Sequence, residues 1–395
     1  MLRSLLRKYP FRSTPILLRF LHHPNPKPPD ESTAAATVSY IRSSCGLSLS
    51  AALSAAKEVH LKSTANPDAV LALLKGHGFT RPQIANLVSK NPALLAARPE
   101  KTIKPKLEFF AGIGYTGANL GKLISSDPRL LSTSLEERIV RNFDLLKTLL
   151  GSPAAVIAAI AGSSRLLRCN LSTVVLPNLQ TLRDHGVPAP KIVMLVSWYP
   201  RVLMNKPDRF TETVKLLKGM GLKPMWTKFI LAINAMSGLT AATWERKLAV
   251  YRSLGWSENE TLMAFTKHPN CMLSSDKKIR KVMEFFVKKM NWKPAFVAAE
   301  PRLLGFSLEK RTIPRCSVLS ILESKGVMSR KWGVHTFLLI SEKDFLENYV
   351  IKYGKQIPEV LEAYQGKLEF VGLQARYRRS QWKSAIAEEF NRRSS

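Results

Sequence analysis

The pentapeptide DPRLL at residues 127–131 recurs along the chain at a nearly constant distance, and this spacing determines the fold prediction. Related elements include NPALL, SSRLL, YPRVL and EPRLL. The second position of the element is occupied, in chain order, by Pro92, Pro128, Ser164, Pro200, Ala235, Pro269 and Pro301. The first three intervals are 36 residues, and the next three are 35, 34 and 32. A constant period of this length is typical of a stacked repeat architecture.

A second marker precedes each of the first six elements by 13 or 14 residues. It is Gly78, Gly114, Gly151, Gly186, Gly221 and Gly255, with Asn291 before the shorter last copy and Gly326 after it. Helices commonly end on a left-handed residue, which glycine adopts without a Cβ clash and for which asparagine is the usual substitute. The marker therefore predicts the end of a helix in every repeat.

Apolar residues between the markers keep helical spacing. Before each proline element they lie at i, i+3 and i+4, as in Ile84, Leu87 and Val88. After it they lie at i, i+4 and i+7, in sets that begin at Ile103, Ile139, Val175, Phe210, Trp244 and Ile279. Proline lacks an N–H and pushes the preceding residue out of the α region, so it ends the first helix. The sequence thus predicts an all-α chain of helix, corner and helix, in which the two corner aliphatics enter the core.

The chain is strongly basic, with 60 Lys and Arg against 29 Asp and Glu, a formal net charge of +31 and a pI near 10.2. Such an excess favours a polyanionic partner, nucleic acid first and an anionic membrane surface second. No stretch of 18 consecutive apolar residues is present, so we expect no membrane-spanning helix.

Cations recur near the start of most of the predicted second helices. We call them the basic column: Lys101, Arg138, Arg209, Arg246, Lys278 and Lys310, with Lys104, Arg141, Lys247, Lys277, Arg280, Lys281, Arg311 and Arg315 beside them. A cation at a helix N-terminus opposes the helix dipole, at a small cost that an external anion relieves. The column is a candidate nucleic-acid contact, and the alternative is a solvated face.

The arginine inside the corner also recurs, as Arg129, Arg165, Arg201 and Arg302. One interpretation is that it caps the carbonyl groups at the end of the first helix, and the other is that it contacts phosphate. Aromatic residues at Trp198, Tyr199, Trp226, Trp244 and Trp256 are either stacking surfaces for bases or parts of the core.

Residues 1–33 have the composition of an organelle presequence. The first 29 residues contain six Lys and Arg, no Asp or Glu, and leucines able to share one helical face. Arginine richness favours the mitochondrion, with the chloroplast as the alternative. A basic tail without a targeting role is the other interpretation.

The repeat length, the P-x-L-L corner, the L-x-x-x-G ending and the basic leader together resemble the mitochondrial transcription termination factor (mTERF) family, in a plant-type organellar version. The resemblance covers residues 65–330. It implies an α-solenoid of about seven repeats, each with two α-helices and a short 3₁₀ helix, curved into a half-doughnut with a basic groove. It also implies a monomer that binds double-stranded DNA or organellar RNA and acts in transcription termination, transcription regulation or intron splicing, with organellar transcription or splicing proteins as further partners. Residues 34–64 are predicted to be N-terminal capping helices, and residues 331–395 a C-terminal helical cap with a basic tail.

Motifs for catalysis or metal binding do not occur in the sequence. The four cysteines form no CxxC unit, the histidines follow no zinc-ligand spacing, and no Walker loop, dinucleotide fingerprint or nucleophile elbow is present. We therefore expect no enzymatic activity, no cofactor and no metal. The function classes that remain are a nucleic-acid-binding regulator and a helical-repeat scaffold for protein interactions.

Overall fold

A computed structural model describes residues 31–327, 334–370 and 372. Residues 1–30 of the predicted presequence and the basic segments at 376–380 and 391–395 lie outside the described residues. The described residues form short helices joined by brief loops, and none of them forms a β-strand. The all-α repeat prediction is confirmed.

Two compact units divide the described chain. The first comprises residues 31–218 and 223–237, and the second comprises residues 219–222 and those from 238 onward. The first unit contains the N-terminal helices, four repeats and the first helix of repeat 5. The second unit contains the second helix of repeat 5, repeats 6 and 7, and the C-terminal helices.

Each repeat has a first helix, a corner and a second helix. The first helices are Arg81–Lys90, Gly117–Ser126, Pro153–Gly162, Ala189–Trp198, Thr227–Ser237, Glu258–Lys267 and Pro294–Ala299. The 3₁₀ corners are Pro92–Ala96, Pro128–Leu130, Ser164–Leu167, Pro200–Met204, Pro269–Leu273 and Pro301–Gly305. The second helices contain Lys104–Gly112, Arg141–Leu150, Leu176–Asp184, Pro207–Gly219, Ala241–Ser253, Asp276–Glu284 and Ile313–Ser324.

Four second helices are entered through a π-helical turn, which the sequence did not predict. These turns are Pro99–Ile103, Leu135–Val140, Leu171–Val175 and Leu308–Thr312. In repeat 6 the π-turn, Phe285–Lys289, instead follows the α-helix. A π-turn inserts an extra residue into the helix, so it changes the direction of the side chains that it carries.

The chain leaves the α region immediately before each corner, as proline requires. Asn91 has φ −148° and ψ 72°, and Asp127 has φ −137° and ψ 77°. Ser163 also leaves the α region, with φ −163° and ψ 101°, although Ser164 stands where the other repeats have proline. Repeat 3 therefore keeps its corner without the proline.

Repeat 5 has no corner. Helix Thr227–Ser237 continues through Ala235, whose side chain is buried. Alanine has a backbone N–H and the highest helix propensity, so nothing at this position ends the helix.

Corner aliphatics are buried in every repeat that has a corner, which confirms their predicted role in the core. They are Leu94, Leu95, Leu130, Leu131, Leu166, Leu167, Val202, Leu203, Leu303 and Leu304, with Cys271 and Met272 in repeat 6. Within the predicted apolar sets of the two helices, Phe143 is the exception: it is half-buried and meets the ring of Phe109 edge to face at 5.6 Å.

Every marker glycine has a positive φ. The values lie between 71° at Gly326 and 101° at Gly114. Asn291, the predicted substitute, has φ 53° and is the one non-glycine residue with positive φ among the described residues. The marker is therefore a left-handed helix end, as expected.

Helices flank the repeats at both ends. Before repeat 1 lie Glu31–Cys45, Leu49–Ala56 and Ala65–Gly76. After repeat 7 lie Val334–Leu339, Glu342–Phe345, Leu346–Ile351, Lys352–Gly354 and Glu359–Tyr364. The first of these helices begins slightly before the predicted end of the presequence at residue 33.

Within the described part of the chain, no single helix is long and apolar enough to cross a membrane. One pair, Leu135–Leu150 with Pro153–Gly162, meets the length and composition requirement together but is bent by 118°.

Candidate nucleic-acid interface

A buried polar residue occupies the same position of nearly every second helix, three residues after the first residue of the buried face that this helix carries. We call these residues the latch column: Lys106, Asn142, Asn178, Thr213, Lys247 and Arg315. Val282 holds this position in repeat 6. Buried polar groups require hydrogen-bond partners, so the column points to a shared structural role.

Most latch residues donate to carbonyl groups beyond their own repeat, whereas Thr213 donates to the carbonyl of Arg209 in its own helix at 2.9 Å. Asn142 donates through Nδ2 to the carbonyl oxygens of Leu166 at 3.0 Å and Cys169 at 2.9 Å. Asn178 donates in the same way to Leu203 at 3.0 Å and Asn205 at 2.8 Å. These carbonyls lie at the end of a 3₁₀ corner, where the backbone has no helical partner for them. Each of these two asparagines thus joins a second helix to the following corner.

Lysine serves as the latch in two repeats. The Nζ of Lys106 donates to the carbonyl of Leu131 at 2.5 Å, and the Nζ of Lys247 donates to the carbonyl of Ser274 and to the carboxylate of Asp276. Burial lowers the pKa of Lys106, because the charged ammonium group has lost most of its water.

Arg315 is the most deeply buried latch and joins repeat 7 to the C-terminal helices. Its side chain has no solvent exposure, and its guanidinium lies 4.4 Å from the ring centre of Phe345. It donates to the carbonyls of Phe337, Leu338, Ile340 and Ser341 and to the carboxylate of Glu342 at 2.6 Å. The segment from 334 onward therefore packs on repeat 7 in the way that one repeat packs on another.

Two residues of the basic column are corrected by this geometry. Lys247 and Arg315 were expected to face a phosphate, but both are buried: Lys247 donates to repeat 6, and Arg315 donates to the C-terminal segment. Their spacing contained a signal that was missed. Lys247 lies three residues after Trp244 and Arg315 three after Thr312, so both share the buried face of their helix.

Other column cations are neutralised by acids within the protein. The pairs are Lys104 with Glu100 at 2.8 Å, Arg246 with Asp276 at 3.2 Å, and Lys281 with Glu309. The latter two join consecutive repeats. Lys247 and Arg246 hold the pKa of Asp276 below its ordinary value, chiefly through the hydrogen bond from Lys247.

Three further column cations donate to neutral groups. Lys278 donates to the carbonyl of Gly305 at 2.7 Å, Arg280 to the hydroxyl of Ser253 at 3.1 Å, and Arg311 to the carbonyl of Ile340 at 2.6 Å. Lys278 and Arg311 are half-buried, and Arg209 is half-buried and takes part in an internal interaction. Lys278 and Arg209 are therefore less exposed than expected.

The remaining members of the column make no ion pair or side-chain hydrogen bond with any described residue. They are Lys101, Arg138, Arg141, Lys277 and Lys310. Arg138 is half-buried and the other four are exposed. These five cations retain their full capacity to bind an external anion.

The corner arginines do not cap the first helices. Arg129 lies 3.6 Å from Asp127 and Arg302 lies 3.4 Å from Glu300, while Arg165 is exposed and has no partner among the described residues. The carbonyls at the ends of first helices are bound instead from the preceding repeat, as when Lys267 donates to the carbonyl of Ala299 at 2.6 Å. The capping interpretation was wrong, and phosphate contact stays a prediction.

The aromatic residues are divided between core and surface. Trp244 and Trp256 are buried, so the stacking interpretation does not apply to them. Tyr199 and Trp226 are half-buried, and Trp198 is 57% exposed.

These features define a class of protein: an all-α repeat protein in which cations recur in register at the starts of second helices. The mTERF family model matches residues 71–236 and 230–346. The chain belongs to the mTERF family.

Two curated relatives carry related names. The chain is 22% identical over 135 residues to transcription termination factor MTERF8, chloroplastic, of Arabidopsis thaliana, an alignment that covers 34% of this chain and 27% of the relative. It is 25% identical over 217 residues to transcription termination factor MTERF15, mitochondrial, of the same plant, covering 53% of this chain and 46% of the relative. The matched regions span less than half the length of either relative.

Proposed function

We propose that this protein is a nucleic-acid-binding regulator of organellar gene expression, which contacts the phosphate backbone of double-stranded DNA or RNA. Membership of the mTERF family and the names of the two relatives as transcription termination factors support this function. Control of transcription termination is the leading role, with RNA processing or intron splicing as the further candidates. Organellar transcription or splicing proteins are additional partners, and the protein acts as a monomer.

One observation carries the proposal. Lys101, Arg141, Lys277 and Lys310 are exposed cations at the same part of different repeats, and no described acid or carbonyl group binds their side chains. Exposed cations without an internal partner favour binding to a polyanion, because their binding releases the counterions condensed on it. Contacts to phosphate position a protein on nucleic acid without selecting a sequence.

The proposed location is the mitochondrion, with the chloroplast as the alternative. The composition of residues 1–33 supports import, and one relative is named as mitochondrial and the other as chloroplastic. We further propose that residues 34–64 and the segment from 331 onward act as caps on a repeat array at 65–330, since the end repeats of such an array need a polar outer face.

The test is to crosslink a tagged protein in organelles and to sequence the DNA and RNA that it retains. Defined organellar DNA or RNA segments, enriched over a tagged organellar control protein, are the expected result. Recovery of proteins with no enriched nucleic acid would instead support the scaffold function, in which the remaining cations bind acidic protein segments.

A further inference from the structure

Two arginines from consecutive repeats lie on adjoining elements. Arg138 belongs to the π-turn Leu135–Val140 of repeat 2, and Arg165 belongs to the corner Ser164–Leu167 of repeat 3. These two elements contact each other, and the bonds from Asn142 to Leu166 and Cys169 hold them in place. The position of one arginine relative to the other is therefore set by the latch.

The charges of this region are not balanced. A third arginine, Arg168, is bound to Asp127 at 2.7 Å, and Ser164 donates to the same carboxylate oxygen. Asp127 is 9% exposed, so its carboxylate is occupied by these partners. Neither Arg138 nor Arg165 makes an ion pair or side-chain hydrogen bond within the described structure.

Cys169 lies at the same junction, because its carbonyl oxygen accepts the bond from Asn142. Burial raises the pKa of its thiol, and the charges of Arg165, Arg138 and Arg168 each oppose that rise. Arginines of both repeats therefore add positive charge around this half-buried residue. Such a group of like charges is unfavourable unless an anion joins it.

We propose that Arg138 and Arg165 together bind one phosphodiester group of a nucleic-acid strand, as a composite site at the junction of repeats 2 and 3. This inference rests on the proposed function. It adds that Arg165 of a corner acts together with Arg138 of the turn that begins a second helix. One guanidinium group can donate two parallel N–H bonds to two oxygens of a phosphate. Two guanidinium groups can therefore hold one phosphate from two sides. The site exists only where the two repeats are stacked in register.

The test is a double-mutant cycle on the full chain, with Arg138→Gln, Arg165→Gln and the double variant. Affinity for a DNA duplex and for an RNA of the same length is measured by fluorescence anisotropy over a salt series. We expect each single variant to bind about tenfold more weakly, in line with the loss of one charge-assisted hydrogen bond. The double variant should lose little more, because both arginines serve the same phosphate. The slope of log affinity against log salt is negative, and it should become shallower by about 0.9 in all three variants, because each loses the same phosphate contact.

Two controls accompany the cycle. Lys147→Gln removes an exposed cation from the last turn of the same second helix and should weaken binding much less. The double variant Glu136→Gln, Glu137→Gln removes exposed acids beside Arg138 and should bind slightly more tightly. Neither arginine variant should lower the melting temperature of the free protein, since each removes a repulsion.

The outcomes separate the two proposals. Additive losses with a slope change near 1.8 would show two independent phosphate contacts and overturn the composite site. Unchanged affinity in the double variant would overturn it as well, as would a lower melting temperature without coupling in binding. In those cases the parent still binds nucleic acid and the proposed function stands, whereas a parent that binds neither DNA nor RNA overturns both.

Discussion

Asn142 donates a hydrogen bond from its side-chain amide to the carbonyl oxygen of Leu166, at 3.0 Å, and so joins the second helix of repeat 2 to the corner of repeat 3. Asn178 makes the equivalent bond to Leu203 one repeat later. Hydrophobic stacking alone allows helices to slide, whereas a buried amide satisfies its partners at only one position. These two asparagines therefore set the register in which repeats 2 to 4 stack.

Replacement of Asn142 by leucine tests the latch. Leucine has a similar volume but cannot donate, so the carbonyls of Leu166 and Cys169 lose a partner, at about 1–3 kcal/mol for each unsatisfied group. We expect a loss of about 2 kcal/mol in the free energy of unfolding, measured in urea. The matched control is Asn119→Leu on an exposed position of repeat 2, which should stay within roughly 0.5 kcal/mol of the parent. Equal stability of the two variants would show that the latch contributes nothing.

The corner prediction concerns Leu131 and Pro128. Leu131 is 3% exposed, so Leu131→Asp places an unpaired charge in the core and should cost about 3–5 kcal/mol. Pro128→Ala should cost less than about 1 kcal/mol, because Ser164 shows that a corner forms without proline. Thermal melts of the two variants provide the measurement. A Leu131→Asp protein as stable as the parent would exclude this leucine from the core.

The bond between Arg315 and Glu342 predicts a dependence of stability on pH. Burial acts to raise the pKa of Glu342, but hydrogen bonds from Tyr364 and Arg315 and the charges of Arg315 and Arg311 outweigh it, so the pKa is lowered. A carboxylate with a lowered pKa stabilises the fold above its unfolded pKa, about 4.3, and this stabilisation is lost as the pH falls through the folded pKa.

Glu342→Gln should therefore lower the melting temperature near neutral pH, and its difference from the parent should shrink below about pH 4. Glu362→Gln, on an exposed position of helix Glu359–Tyr364, is the control and should follow the parent at every pH. A parent-to-variant difference that stays constant from pH 7 to acid would rule out this contribution of Glu342.

The targeting prediction concerns residues 1–33. Six cations without an acid in the first 29 residues predict import into mitochondria. A fluorescent protein fused behind residues 1–60 should accumulate in mitochondria of plant cells, and the same fusion with these six residues changed to Gln should remain in the cytosol. Fluorescence confined to plastids would support the chloroplast instead of the mitochondrion. Cytosolic fluorescence of the unchanged fusion would exclude import into either organelle.

Local chemistry made much of the fold predictable. Proline forces the residue before it out of the α region, and glycine accepts a positive φ. The residue types of Pro128 and Gly151 were therefore enough to predict the local backbone conformation. The same reasoning explains why repeat 5 has no corner: alanine at position 235 does not disfavour the α region, so the helix continues.

The candidate site was less predictable, because the role of a cation depends on which carbonyl or carboxylate reaches it from the next repeat. Lys247 and Arg246 are neighbours in sequence, yet one is buried as a latch and the other is exposed beside Asp276. Lys310 and Arg311 differ in the same way, because Arg311 reaches the carbonyl of Ile340. The partners lie 27 to 30 residues away, and the basic column gave no indication of them.

Salt dependence of nucleic-acid binding tests the proposed contact between the exposed column and phosphate. The triple variant Lys101→Gln, Arg141→Gln, Lys310→Gln is compared with the triple variant Lys57→Gln, Lys62→Gln, Lys367→Gln, which loses the same charge from exposed positions outside repeats 1–7. Affinity for duplex DNA and RNA is measured by fluorescence anisotropy over a salt series, with the melting temperature of each protein as the folding control. We expect the slope of log affinity against log salt to become shallower by roughly 2 to 3 for the column variant, at about 0.9 per phosphate contact on duplex DNA, and to change little for the control. Equal slopes for the parent, the column variant and the control, with melting temperatures unchanged, would contradict phosphate contact by the column.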